Sequence, residues 1–69
     1  MVNYHVYFNS GDNRLKVFYS GLFDGQHSFQ TNVINAYYFP SVEAAQEFID
    51  SINGECEGHK LYWAEGSNP

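Results

Sequence analysis

Cys56 and His59 are separated by two residues in "ECEGHK", a spacing from which one thiolate and one imidazole can grip the same metal ion. A structural zinc site takes four ligands, usually with cysteine pairs at tight spacing. This chain has a single Cys, and its other histidines, His5 and His27, lie far away in sequence. The pair therefore reads as a loop cysteine beside a surface histidine, with no metal and no cofactor expected. A Cys nucleophile with a His base fails on similar grounds, because no flanking motif supports it. There is no Gly-x-Ser-x-Gly, no phosphate-binding glycine loop and no His-Glu-x-x-His. A fold this small also has little room for a ligand-burying pocket of ~300 Å³ or more. No enzymatic activity is expected.

Carboxylates are the other chemically notable group. Net charge is −5, and the only basic side chains are Arg14, Lys16 and Lys60. Between Val17 and His59 there is no Lys or Arg, yet Asp24, Glu43, Glu47, Asp50, Glu55 and Glu57 fall there. Nucleic-acid affinity rests mainly on Lys and Arg contacts to phosphate, so direct DNA or RNA binding is not expected. Glu43 and Glu47 are one helical turn apart, which costs about 0.2–0.5 kcal/mol. Asp50 near the helix end opposes the dipole at a cost of about 0.3–1 kcal/mol. An acidic face that slightly destabilises its own helix can serve solubility or attract a basic partner.

These side chains must be positioned by a single domain of 69 residues, a length that buries only about 60% of the unfolded chain's surface. The core has to be dense. Six Phe, six Tyr and one Trp supply its bulk, each able to bury roughly 150–250 Å². In "VNYHVYFN", Val2, Tyr4, Val6 and Phe8 alternate with polar or mixed positions, the period of a strand with one buried face. "SGDN" supplies a turn. "RLKVFYSGLF" reads as a second strand with Leu15, Val17 and Tyr19 on one side, and a bulge or bend at Ser20-Gly21. Asp24-Gly25 is a hairpin signal. A third strand is expected through "HSFQTNVINAYYF", bending near Thr31-Asn32.

Pro40 ends that strand and Ser41 caps a helix whose apolar stripe is Val42, Ala45, Phe48, Ile49 and Ile52. Gly54 is placed just past its end. "ECEGH" reads as a connection, "KLYWA" as a last strand with Leu61 and Trp63 on one face, and residues 65–69 as a frayed tail. The expected fold class is α+β: a small, mainly antiparallel sheet with one helix packed on one face, in the order β-β-β-α-β. Tyr4, Phe8, Tyr19, Phe29, Phe39, Phe48 and Trp63 are the expected core aromatics. One helix covers one sheet face, so Tyr7, Phe18 and Tyr38 are candidates for an exposed face on which a partner or second copy could dock.

The segment "FPSVEAAQEFID" resembles the strand-stop-helix junction of the hybrid-binding domain found before some ribonucleases H. That family binds nucleic acid through basic and aromatic side chains, and the matching region here contains no base. In size, acidity and β-β-β-α-β order the chain is similar to small phage- or mobile-element-encoded inhibitors of the anti-CRISPR type. That resemblance implies a non-enzymatic inhibitor of a basic, nucleic-acid-handling complex, in some cases acting as a nucleic-acid mimic.

The leading expectation is a protein-binding inhibitor presenting Glu43, Glu47, Asp50, Glu55 and Glu57 to a basic protein surface. The alternative is a structural or assembly protein that self-associates, for instance as a homodimer, through an aromatic sheet face or edge. The opening "MVNYHVYFNSG" lacks the basic and apolar regions of a signal peptide, and a lone Cys suits a reducing compartment. No membrane contact and a cytoplasmic location are expected.

Overall fold

The computed structural model describes residues 3–10 and 15–66. It shows an α+β fold in which a four-stranded antiparallel sheet carries one helix. The strands β1 (Asn3–Asn9), β2 (Lys16–Phe23), β3 (Gln26–Gln30) and β6 (Tyr62–Gly66) lie in the order β3-β2-β1-β6. Helix α1 spans Val42–Ser51 and packs over β1 and β6. A small hairpin of β4 (Glu55–Cys56) and β5 (His59–Lys60) precedes β6.

The alternation in β1 does what its period demands. Tyr4, Val6 and Phe8 all point to the helix side, and Val6 is fully buried. The rest of the core is Tyr19, Phe39, Ala45, Ile49 and Leu61, with Phe29, Phe48 and Ile52 packed around it. Tyr19 stacks on Phe48 at 4.2 Å and meets Phe29 edge-on at 5.5 Å. Its hydroxyl pairs with Nδ1 of His27 at 3.0 Å.

Local chemistry accounts for most boundaries. The β2–β3 register slips between Tyr19 and Gly21, where Gly21 adopts φ +104, so the expected bulge is present. Asp24 and Gly25 both have positive φ (52 and 76), as a two-residue hairpin of mirror-image type requires. The Ser41 hydroxyl accepts from the Ala44 N–H at 3.1 Å and starts α1. The Gly54 N–H closes the other end on the Ile49 carbonyl at 2.8 Å.

Four expectations need correction. The third strand is not thirteen residues long, because β3 stops at Gln30. The Asn32 side chain accepts from the Ile34 N–H at 3.1 Å and starts a 3₁₀ turn over Val33–Asn35, the backbone mimicry at which Asn excels. The chain then returns extended: Phe39 exchanges two backbone hydrogen bonds with Tyr4, and the Tyr37 N–H donates to the Tyr19 carbonyl. Residues 37–39 thus bond to both β1 and β2 beyond the three residue pairs those strands share. Secondly, "ECEGH" is a hairpin, not a plain connection, with Glu57 and Gly58 at φ 51 and 83. Thirdly, Glu65 and Gly66 belong to β6 instead of a frayed tail. Fourthly, Trp63 lies at the sheet margin, 39% exposed, instead of in the core. Val2, residues 11–13 of the first turn, Arg14 and residues 67–69 fall outside the described residues. Among the described residues, no helix is long and apolar enough to cross a membrane.

Candidate functional site

Cys56 and His59 do come together, opposite one another across the β4–β5 hairpin. Among the described residues, however, no three His, Cys, Asp or Glu side chains cluster as metal ligands. The His59 ring is instead stacked on Phe8 at 4.5 Å. Burial, and then the neighbouring charge of Glu57, push the Cys56 thiol above its ordinary value, the opposite of what an activated nucleophile needs.

Among the described residues, no second helix covers the sheet face opposite α1, yet that face is not bare. His5, Tyr7, Phe18, Tyr38 and Tyr62 form a layer of their own on it. Phe18 meets the His5 ring edge-on at 5.2 Å, and His5 meets Tyr38 at 6.3 Å. Tyr7 leans on Tyr62 at 5.7 Å and carries the Lys16 ammonium over its ring at 4.6 Å. Phe18 is only 9% exposed, and Tyr7 and Tyr38 are half-buried. Of the three residues read as an interface, the one with most apolar surface is already spent on the protein's own packing.

His5 is the unusual member of this layer. Its ring is buried, its Nδ1 has no hydrogen-bond partner among the described residues, and a Cβ at Gly66 would lie 2.8 Å from that atom. Burial, helped by the Lys16 charge, holds the imidazole below its ordinary value of 6.5. As pH falls, the unfolded chain therefore binds a proton before the folded one does. Stability is full above pH 6.5 and declines below it until the lowered folded value has been passed. Urea midpoints at pH 7.5 and 5.5 should show this decline in the native protein and lose it in His5→Phe. An equal decline in the variant would assign the effect elsewhere.

All five acidic candidates are exposed. Glu43, Glu47 and Asp50 occupy the outward side of α1, whose last turn holds no basic residue. Glu55 and Glu57 sit on the β4–β5 hairpin, where Lys60 stands opposite Glu55 and interrupts the negative surface. The sequence reading missed what lies beside the helix. The Trp63 indole N–H donates to Gln46 Oε1 at 3.2 Å, and Gln46 Nε2 donates to Asp50 Oδ1 at 3.0 Å. These residues border an open groove of about 370 Å³ between α1 and β6. An indole next to a free strand was the available signal, but only the strand order shows that β6 is an edge.

A third surface lies at the other end of the sheet. Leu22, Phe23 and Ile34 are 68, 74 and 71% exposed, and Val33 and Tyr37 are exposed beside them. From Val17 to Val42 the only charged side chain is Asp24. Apolar exposure and acidity are thus separated along the chain. No protein-family model matches this chain, and no curated protein or solved structure is significantly similar to it.

Proposed function

We propose that this chain is a non-enzymatic, protein-binding inhibitor whose acidic helix face docks on a basic surface of a nucleic-acid-handling partner and blocks it by occupancy. One observation carries the reading: Glu43, Glu47 and Asp50 are all exposed on one side of α1 with no cation among them, at a cost to the helix itself. Such a surface speeds encounter with a basic partner and makes the complex salt-sensitive.

The variant E43Q/E47Q/D50N tests it. Its stability should rise by up to about 1 kcal/mol as the intrahelical repulsion and dipole penalty vanish. As bait in a bacterial lysate, the native protein should retain basic nucleic-acid-binding proteins at low salt that the variant does not retain. A purified captured protein should then release a labelled duplex when the native chain is added. Equal retention by both baits would overturn the electrostatic reading.

A second reading has its own support in the exposed Leu22, Phe23 and Ile34. Apolar groups this exposed on a nearly uncharged stretch suit self-association, since two chains of net charge −5 meet there with little repulsion. A dimer that survives ~0.5 M salt and dissociates in Phe23→Ser would support it.

A further inference from the structure

β6 is the outermost strand on its side of the sheet, and neighbouring bonds fix which of its backbone groups are free. Tyr4 makes both its backbone bonds on the far edge of β1, with Phe39, at 3.0 and 2.7 Å. Its opposite residue in β6 is Glu65. Tyr4 and Glu65 are therefore a non-hydrogen-bonded pair, and the N–H and C=O of Glu65 point away from the sheet. The same parity holds two residues earlier at Trp63. It holds again at Leu61, whose N–H does donate outward, to the Gly54 carbonyl at 3.0 Å. Among the described residues, the chain covers its own edge as far as Leu61 and pairs with nothing along it from Trp63 onward.

The groove lined by Ile49 and Leu61 reaches the open edge at Trp63. Gln46 lies against Trp63, and Asp50 lines the same groove with Lys60. Helix and strand thus run in opposite directions, which sets Glu43, one turn before Gln46, toward the Glu65 end. Lys60 marks the closed end. A second copy of the chain would bring two acidic helices together, whereas a cationic strand would neutralise one.

We propose that the β6 edge from Trp63 to Gly66 takes up an extended basic segment of a partner protein as a fifth strand. Its backbone pairs with Trp63 and Glu65, and its cationic side chains lie toward Glu43 and Glu65, away from Lys60. Strand addition of this kind draws affinity from main-chain bonds and selectivity from alternate side chains. The inference rests on the acidic surface being the binding surface.

The probe is an acetylated, amidated octapeptide of alternating Lys and Val, followed by Trp63 fluorescence and by the Trp63 and Glu65 amide resonances. Methylating alternate backbone nitrogens of the peptide should weaken binding about tenfold, since two main-chain bonds are lost. Glu65→Pro removes an outward donor without touching the β1 ladder and should cost about fivefold, against about twofold for Glu65→Gln, which removes only charge. The Glu-Val counterpart should not bind, and equal binding by it would overturn the basic partner. Equal affinity of the methylated and parent peptides overturns strand addition. In that case, weakening by E43Q/E47Q/D50N would still leave the acidic surface as a binding surface. Loss on methylation with no effect of that triple variant would overturn the acidic reading and keep the edge as the site.

Discussion

Phe18→Ala should lower stability by about 3 kcal/mol or more, the usual cost of emptying a buried Phe site. A domain of this size has only a few kcal/mol in hand, so the variant should be largely unfolded at 37 °C. The physical reason is the face on which Phe18 lies. It points away from α1, where a single-helix fold would leave it in water, yet it is 9% exposed because the His5 and Tyr7 rings close around it. Urea unfolding followed by far-ultraviolet circular dichroism reads the loss, and sedimentation reads the mass at the same time. A midpoint within a few tenths of a molar of the native value, with a changed oligomeric state, would make Phe18 a docking residue after all.

Its neighbour should be as sensitive for a different reason. Tyr19 is the hub of the helix-side core, stacked on Phe48 and in ring contact with Phe29, Phe39, Tyr37 and His27. Tyr19→Ala should cost about 3–5 kcal/mol and abolish cooperative unfolding. Tyr19→Phe keeps the rings and removes only the bond to His27, so about 0.5–1.5 kcal/mol is expected. Comparable losses in the two variants would mean that the hydroxyl, not the packing, anchors the core. Burial pushes the Tyr19 phenol above its ordinary value of 10.0, with the Tyr37 phenol adding to it. The hydroxyl therefore stays protonated throughout the physiological range.

Adjacent residues on opposite faces of one strand are thus both expected to be core, and this marks where sequence reading runs out. Period-two spacing assigned Val17 and Tyr19 to one face of β2 and Phe18 to the other. What it could not supply was the fate of the second face, because that depends on Tyr38, twenty residues on. Tyr38 reaches the layer only because Asn32 turns the chain back and Phe39 bonds to Tyr4. The acidic residues were legible for the opposite reason. Helical spacing alone places Glu43, Glu47 and Asp50 outward once Ala45 and Ile49 are inward, and no distant partner can change that.

The sequence by itself determined the class of the fold, the single helix with its cap and stop, the bulge at Ser20-Gly21, the hairpin at Asp24-Gly25 and the acidity of one surface. Each is set by a few neighbouring residues through backbone dihedral limits, side-chain capping or periodicity. The tertiary structure alone decided that β6 is an edge, that its groups from Trp63 onward face outward beside α1, and that the buried His5 Nδ1 has no hydrogen-bond partner among the described residues. Those are facts of strand order and of contacts between distant segments, and they depend on how the whole chain closes its core instead of on any local preference.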